Sequence, residues 1–470
     1  MLVDFPDDVL LEIATWLSQS DLSALRLVSV QLCLATSPVF YREFTFRTHH
    51  DRLAEVLAAL AMDSEQGAGW ARFGFARTLR IQSLPLFATA ASVPQELVLR
   101  GLSKLRNVRD ISWTIRERDS LPLIDSLCAA IASHPHSEGA FPLLESLDVN
   151  IESGIHLPPP LRLRLGSRLA NAVARMLPQL PRLRVLHLVG GTRWGAVWTA
   201  LRLGLQVLAT VDGGPGTETT GNITGIHLKE LVTNDPTDDL ITYLASYSGL
   251  EVLRLPSVDG EEHLADVLFA EVLPRHAGTL LEFECTAAYE GRWSLDAERV
   301  QALKGLCNLR ELAVSLNGED VLSEEISAGE RDIIALLLAT SVSLPSLRTL
   351  RIKPSRHAFA GSLLGRSWWH AASVRHTERV NGAIQRKVLG LWFRQRDAEA
   401  EAGSVGRRLE VRVGEEVYVA STPRQQDGGW RRFCPASMSV TQAGADPEKE
   451  RGREKEFQLE RQISNMLFSF

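Results

Sequence analysis

The chain has 470 residues, of which 45% are hydrophobic and 23% are charged, and its formal net charge is −6. Its length predicts about three domains, and its composition is that of a soluble globular protein. These values exclude a wholly disordered chain, a collagen-like fibre and a small disulfide scaffold. They also provide no global charge that would attract nucleic acid or an anionic membrane.

Targeting signals and membrane spans are not expected. Three acids and no base precede Val9, which is the wrong charge for a signal or transit peptide. The longest apolar run, 333–344, is shorter than the roughly 18 residues of a membrane span and predicts a buried helix. The five cysteines form no Cys-x-x-Cys pair, so we expect reduced thiols, no structural zinc and a cytoplasmic or nuclear location, or both.

Three short helices are predicted at the start of the chain. Residues 5–17 carry one apolar stripe, and the polar stretch 18–21 then breaks the pattern and offers an N-cap. Residues 22–28 predict a second helix, and 32–35 a third that ends at Ser37-Pro38. Residues 39–46 alternate toward a strand. Such a small unit buries too little surface to be stable alone, so it either binds a partner or caps the edge of a larger domain.

The order and spacing of residues in this segment resemble an F-box. The matching stretches are Phe5-Pro6-Asp7-Asp8-Val9-Leu10-Leu11-Glu12-Ile13, Trp16-Leu17, Ser20-Asp21-Leu22 and Leu25-Arg26-Leu27-Val28-Ser29. The chain departs from the family at Phe5, where Leu is usual, and at Val30-Gln31-Leu32, where a basic–aromatic pair is usual.

The resemblance implies binding to the Skp-type adaptor of a cullin–RING ubiquitin ligase. The implied adaptor contacts are Phe5, Pro6, Val9, Leu10, Ile13, Leu17, Leu22, Leu25 and Val28. An exposed apolar surface on a small helical unit is also what an apolar groove on a partner would bind.

An apolar line of the form L-x-x-L-x-L recurs nine times between about residues 75 and 353, at steps of 22 to 45 residues. The lines end in Leu79-Arg80-Ile81, Ile111-Ser112-Trp113, Leu147-Asp148-Val149, Leu186-His187-Leu188, Leu231-Val232-Thr233, Leu253-Arg254-Leu255, Phe283-Glu284-Cys285, Leu312-Ala313-Val314 and Leu350-Arg351-Ile352. Helical patterns lie between them, at 51–62, 121–133, 161–177, 237–246, 262–273 and 331–342. Prolines at 178, 274 and 345 are predicted to close helices.

This alternation of strand and helix resembles the degenerate leucine-rich repeats that follow an F-box in fungal-type proteins. The asparagine that follows the strand in such repeats is clear only at Asn317, which predicts no continuous asparagine ladder. A non-solenoid α/β domain with parallel strands is the alternative. The absence of G-x-G-x-x-G after a strand, and of a phosphate-binding G-x-x-x-x-G-K-[ST] loop, favours the solenoid.

The middle residue of each line is predicted to point to the open face of the sheet, and the outer two to the core. Six of the nine middle residues are charged or histidine. These six are the candidate target-binding residues: Arg80, Asp148, His187, Arg254, Glu284 and Arg351. A face of mixed charge suits recognition of a folded partner or peptide, and an ordinary solvated strand face would show the same composition.

The segment 351–396 has ten bases and one acid, with Trp368, Trp369, Trp392 and Phe393 interleaved. A helical cap with aromatic residues packed inward is the favoured interpretation, and nucleic-acid binding is the alternative. Residues 409–413 and 417–419 predict a β-hairpin. The polar stretches 422–429 and 441–456 and the glycine-rich 213–221 are expected to be flexible, and 457–470 is expected to be a short helix or a frayed end.

The predicted fold is α/β, with a three-helix F-box at 1–48, a leucine-rich-repeat-like solenoid at 49–353 and a small, partly disordered α+β extension at 354–470. No catalytic motif, metal-ligand set or cofactor fingerprint is present, so neither enzymatic activity nor a cofactor is expected. The functional hypothesis is a substrate-receptor subunit of a Skp–cullin–F-box ligase that binds an adaptor and an unknown target protein. A non-ligase scaffold and a nucleic-acid binder are the alternatives.

Overall fold

The structure is a computed structural model that describes residues 5–46, 74–82, 101–102, 105–116, 124, 141–152, 159–177, 180–190, 193–211, 225–323, 332–356, 366–394, 409–420 and 430–436. The chain forms two compact units. The first comprises Met1–Ser294 with Gly305–Asn308, and the second Leu295–Lys304 with Leu309–Phe470. The predicted domain boundaries at 48 and 353 stay a prediction.

The first unit alternates strands and helices. Its helices are α1 (Asp7–Thr15), α2 (Gln19–Arg26), α3 (Val30–Phe40), α4 (Pro159–Met176), α5 (Gly195–Val211), α6 (Asp238–Ala245), α7 (Glu262–Val267) and α8 (Leu273–His276). Its strands are β1 (Glu43–Phe46), β2 (Thr78–Ile81), β3 (Asp110–Ile115), β4 (Ser146–Ile151), β5 (Val185–Val189), β6 (Glu230–Thr233), β7 (Val252–Val258) and β8 (Glu282–Ala287).

All eight strands of this unit pair in chain order and in parallel. The predicted lines align in register, so that Leu147, for example, pairs with Ile111 on one side and Leu186 on the other. The outer residues of the lines are buried, as at Leu231 and Leu253. Burial of each such leucine contributes about 1.5–3 kcal/mol to folding. The parallel pairing and the buried outer positions confirm the predicted α/β fold with a solenoid-like repeat.

The second unit contains the last two predicted lines and the C-terminal elements. Its helices are α9 (Ala297–Leu303), α10 (Gly318–Leu322), α11 (Ile333–Ser343) and α12 (Arg366–Gly390). Its strands are β9 (Glu311–Leu316), β10 (Thr349–Pro354), β11 (Trp392–Arg394), β12 (Glu410–Val413), β13 (Glu416–Ala420) and β14 (Trp430–Pro435). Strand β10 pairs in parallel with both β9 and β12. The sheet continues in antiparallel fashion through β13 and β14 to β11.

The predicted hairpin is confirmed as β12–β13, with Gly414 at a positive φ of 62° in its turn. Its first strand also joins the repeat sheet, because Val411 pairs with Leu350 of β10. Val411-Arg412-Val413 has the same apolar–polar–apolar pattern as the nine lines, although this pattern does not indicate which strand it pairs with. The C-terminal segment therefore contributes a strand to the repeat sheet of the second unit.

Two predicted helix ends are wrong, both at prolines. Helix α3 continues past Pro38 to Phe40, because a proline in the last turn removes only one N–H bond, and the carbonyl left over belongs to the exposed Leu34. Pro274 lies inside α8, directly after a π-helical turn at Leu268–Val272 whose wider winding accommodates the ring. The predicted end before Pro345 is confirmed, since α11 ends at Ser343.

Several predictions fall on residues outside those the structure describes. These are the helix at 51–62, nearly all of the helix at 121–133, the glycine-rich 213–221, the stretches 422–429 and 441–456, and the C-terminal 457–470.

One side-chain hydrogen bond between the ends of neighbouring strands was not predicted from the sequence. The N–H of Gly190, which follows β5, donates to Oδ1 of Asn234, which follows β6, at 3.3 Å. Asn234 comes directly after the line Leu231-Val232-Thr233, whereas the predicted repeat asparagine, Asn317, comes three residues after Val314. The amide of Asn317 donates to the carboxylate of Asp320 at 3.3 Å.

A buried histidine joins α6, α8 and β7 in the first unit. His276 Nδ1 accepts from the N–H of Leu250 at 3.3 Å, and Nε2 donates to the carbonyl of Leu244 at 3.0 Å. The ring also packs edge-on against Tyr247. Burial lowers the pKa of His276 from its ordinary value of 6.5, because removal from water disfavours the charged ring.

We expect the first unit to lose stability as the pH falls below 6.5, the ordinary pKa of His276. In that range the unfolded chain binds a proton that the folded His276 resists, so the free energy of unfolding falls by at most about 1.4 kcal/mol per pH unit until the lowered folded pKa is reached. Urea denaturation at several pH values checks this. His276→Gln should flatten the dependence, whereas His227→Gln, at an exposed ring stacked on the same Tyr247, should retain it.

Candidate protein-binding surfaces

The helices α1–α3 form a small unit with its own apolar centre. Leu10, Ala14, Leu22 and Leu32 are at most 2% exposed. Ser18 caps α2 by accepting from the N–H of Asp21 at 3.2 Å, as predicted, and Ser29 caps α3 through the N–H of Leu32 at 3.1 Å. These caps fix both helix starts and each contributes about 1 kcal/mol.

Arg26 fastens the end of α2 to the end of α3. Its guanidinium lies 4.1 Å from the ring centre of Phe40 and 4.6 Å from that of Tyr41. It also donates to the hydroxyl of Tyr41 at 3.1 Å. Such cation–π contacts hold the two helices in a fixed arrangement, and so they fix which side chains the unit leaves exposed.

Four apolar side chains around the α2–α3 connection are exposed to solvent and form what we call the α2–α3 patch. Leu27 is 89% exposed, Val28 70%, Val30 76% and Leu34 63%. Val30 and Leu34 are four residues apart and share one face of α3, whereas Leu32 on another face is buried. Helix α3 is therefore apolar on two faces: one packs into the apolar centre of α1–α3, and the other is available to a partner.

The structure separates the nine predicted adaptor contacts into two groups. Leu10 and Leu22 are buried in the centre of the helical unit, so they support its surface and offer no area to a partner. The other seven are at least partly exposed: Phe5, Pro6, Val9, Ile13, Leu17, Leu25 and Val28. Adaptor binding by these seven stays a prediction.

Three members of the α2–α3 patch were not among the predicted contacts: Leu27, Val30 and Leu34. The signal was the segment Val30-Gln31-Leu32, which puts apolar residues where the F-box pattern has a basic–aromatic pair. Trp16, 83% exposed at the end of α1, was missed as well, although its indole N–H does contact Glu12 at 3.4 Å.

A second surface is the row of middle residues on the sheet of the first unit, here called the open-face row. Register pairs connect its seven members in order: Arg80, Ser112, Asp148, His187, Val232, Arg254 and Glu284. Neighbouring parallel strands lie about 4.8 Å apart, so the row extends over about 29 Å. It contains five of the six predicted target-binding residues, and all seven side chains are at least partly exposed.

Ion pairs cross the strands on this face. Arg254 contacts Glu282 and lies 3.6 Å from Glu230, which in turn lies 3.0 Å from Nε2 of His187. Arg80 pairs with Glu43 of β1 at 3.1 Å. Partly exposed pairs of this kind contribute only about 0–1 kcal/mol to stability, so the row is better suited to presenting charge than to holding the fold.

The sixth predicted target-binding residue, Arg351, is exposed on β10 of the second unit and pairs with Glu311 at 3.0 Å. Its register partner Ala313 was predicted to face solvent, and this is wrong because Ala313 is only 6% exposed. Ser315, two residues further along β9, is only 1% exposed as well. The open-face pattern therefore does not hold at β9.

Within the described ranges, no three His, Cys, Asp or Glu side chains gather in a way that could hold a metal ion. None of the four described cysteines forms a disulfide, and no described helix is long and apolar enough to cross a membrane. Burial raises the pKa of Asp235, whose carboxylate accepts from the N–H of Trp194, and this contact ties α5 to the loop after β6.

Comparison with known proteins gives little. No family model matches the chain, and no curated protein matches it. A solved structure described as the crystal structure of the Rad7 and Elc1 complex in yeast is 14% identical, with 76% of this chain and 90% of that chain covered and a TM-score of 0.31. No family assignment follows from a likeness this weak.

Proposed function

We propose that this chain is a substrate-receptor subunit of a Skp–cullin–F-box ubiquitin ligase. In this proposal α1–α3 bind a Skp-type adaptor, and the open-face row binds a target protein in the cytoplasm or nucleus. The chain itself performs no chemistry. It holds the target beside the ubiquitin-charged partner enzyme, which raises the effective concentration of the two reactants.

The observation that carries the proposal is the exposed apolar surface of the helical unit. Leu27, Val28, Val30 and Leu34 are more than 60% exposed in a unit whose own apolar centre is already complete. Burying each of these side chains in a partner would gain about 1.5–3 kcal/mol, which is the scale of an interface centre. Leu27 and Val28 of this patch belong to the stretch that resembles an F-box, and that resemblance implies an adaptor as the partner that would cover the patch.

The open-face row supports the second half of the proposal. Its charged residues are of both signs and are held at fixed spacing by parallel strands, so the row can match a charge pattern on a folded target. We therefore assign Arg80, Asp148, His187, Arg254 and Glu284 to target recognition, with Arg351 as a candidate on the second unit.

The test of adaptor binding is co-expression of the full chain with a Skp-type adaptor, followed by size-exclusion chromatography and addition of the cullin–RING subunits. We expect a one-to-one complex that recruits the cullin. No complex with the adaptor would overturn the proposal. A complex that fails to recruit the cullin would overturn the ligase role and favour a scaffold that uses the same surface.

The test of target binding is proximity labelling in cells, comparing the wild-type chain with a charge-reversed row, Asp148→Lys with Arg254→Glu. The labelled proteins lost from the variant are the expected targets. The matched control is Glu271→Lys, an exposed charge in the π-helical turn Leu268–Val272 and outside the strands that carry the row. Identical labelling by all three chains would remove the row from target recognition.

A further inference from the structure

The open face of β5, β6 and β7 carries three valines, here called the valine centre: Val185, Val232 and Val252. Each is partly exposed and stands next to a buried leucine of its own strand, so the leucine and the valine point to opposite faces of the sheet. Val185 and Val252 are register partners of Glu230 on its two sides, and Val232 lies two residues after Glu230. The three valines are therefore neighbours on one face. An apolar centre within a charged rim is the usual arrangement of a protein-binding surface.

Acidic residues lie on both sides of the valine centre along the open-face row. Asp148 of β4 lies two strands before Val232, and Glu284 of β8 lies two strands after it. Both acids are partly exposed. At about 4.8 Å per strand, each acid lies about 9.6 Å from Val232, and the two acids lie about 19 Å apart. The row thus presents an acid, an apolar residue and an acid at equal spacing.

The one arginine on this part of the row is matched by acids of the same face. Arg254 contacts Glu282 and lies 3.6 Å from Glu230. The open face of strands β4–β8, as described, carries one arginine and four acids, which gives a net charge of −3 with the histidine counted as neutral. These acids are Asp148, Glu230, Glu282 and Glu284. A partner of complementary charge is therefore basic.

We propose that the open-face row binds an extended segment of its target protein in which an aliphatic side chain lies between two basic ones. The aliphatic side chain contacts the valine centre, and the basic side chains contact Asp148 and Glu284. Six residues of an extended chain span about 20 Å, which matches the distance of about 19 Å between the two acids. Such binding deepens the proposed function, because it rests on the role of the row in target recognition and names the chemistry of the target. It does not require the adaptor.

The experiment is fluorescence anisotropy of the full chain with labelled peptides of about 12 residues in a glycine–serine background. The basic–aliphatic peptide has two lysine pairs whose centres are six residues apart, with two leucines midway. A second peptide has serines in place of the leucines, and a third has glutamates in place of the lysines. We expect the basic–aliphatic peptide to bind at least about tenfold more tightly than the serine peptide, because leucine side chains gain from burial. Its affinity should fall as the salt concentration rises, and the glutamate peptide should not bind.

Two double variants test the acids of the row. Asp148→Asn with Glu284→Gln removes both charges and keeps the side-chain shapes, and it should weaken the basic–aliphatic peptide by about tenfold at low salt. The matched control, Glu271→Gln with Glu298→Gln, removes the same number of charges from exposed helical positions outside the row. It should keep the wild-type affinity. The thermal midpoints of both variants should lie close to that of the wild type, because none of the four side chains is buried.

Val232→Thr tests the valine centre with a side chain of nearly the same volume. It should weaken the basic–aliphatic peptide severalfold and leave the affinity for the serine peptide unchanged. This coupling between Val232 and the leucines of the peptide indicates a direct contact, because a general loss of stability would weaken both peptides alike.

Four results would overturn the inference. One is no binding of the basic–aliphatic peptide, and another is equal weakening in the row variant and its control, which would reduce the effect to total charge. The third is equal affinity for the serine peptide, and the fourth is binding of the glutamate peptide as tightly as the lysine one. The proposed function fails on different results, namely no adaptor complex or proximity labelling that charge reversal of the row leaves unchanged.

Discussion

Val30→Asp combined with Leu34→Asp should weaken binding of the Skp-type adaptor by about 100-fold or more. The two side chains are 76% and 63% exposed on one face of α3, so the substitutions remove apolar area from the proposed interface and put two carboxylates in its place. A loss of about 3 kcal/mol corresponds to roughly two decades in affinity, and hot-spot side chains reach this size. Isothermal titration calorimetry with the purified adaptor measures the change.

The folded helical unit should tolerate this double variant, since neither side chain belongs to its centre. Gln31→Asp is the matched control: Gln31 is also exposed on α3, but it lies about 100° around the helix axis from Val30. It should leave the affinity unchanged. Leu32→Ala should instead lower the thermal stability of the unit, because Leu32 is only 1% exposed. An adaptor affinity that survives Val30→Asp with Leu34→Asp would remove the α2–α3 patch from the interface.

The strands were predictable because a line such as Leu253-Arg254-Leu255 repeats its polarity at the strand period of two residues. A parallel strand buried on one side leaves little choice of register, since a slip by one residue would exchange the core and open faces. All nine lines form strands, and the apolar residues at their outer positions are buried. Where a strand is buried on both faces, as β9 is at Ala313 and Ser315, the periodicity alone could not show it.

The exposure of the α2–α3 patch could not be predicted from the hydrophobic periodicity of the sequence, for a different reason. Leu27, Leu32 and Leu34 are the same residue type within eight positions, and only Leu32 is buried. Which leucine enters the core depends on how α2 and α3 cross, and this crossing is held by the contact of Arg26 with Phe40 and Tyr41. Long-range contacts of this kind leave no periodic trace in the sequence.

The joining of β12 to β10 shows the same limit at a larger scale. Leu350 and Val411 are register partners although the whole of α12 lies between them in the chain. The hairpin was predictable from local alternation and its glycine turn. The strand that the hairpin pairs with was not predictable. Closing such a long loop costs entropy, and the burial of β12 and α12 as a whole offsets this cost, so no single residue marks the pairing.

Gly190→Ala should lower the free energy of unfolding of the first unit by about 3 kcal/mol. Gly190 has φ +136°, a backbone conformation that side chains rarely adopt. A Cβ there would lie 2.7 Å from Cβ and 2.8 Å from the carbonyl oxygen of Ile151, at the end of neighbouring β4. Backbone strain and overpacking each cost about 1–3 kcal/mol, and the N–H bond to Asn234 would shift as well.

Gly195→Ala is the control with the opposite sign. Gly195 begins α5, and a Cβ there meets nothing within 4 Å. Alanine should leave stability unchanged or raise it by up to about 1 kcal/mol. Urea denaturation followed by tryptophan fluorescence reports on the same region, since Trp194 and Trp198 are fully buried beside these glycines. If Gly190→Ala were as stable as Gly195→Ala, β5 could not approach β4 as closely as this register requires, and the close packing of consecutive repeat strands would have to be revised.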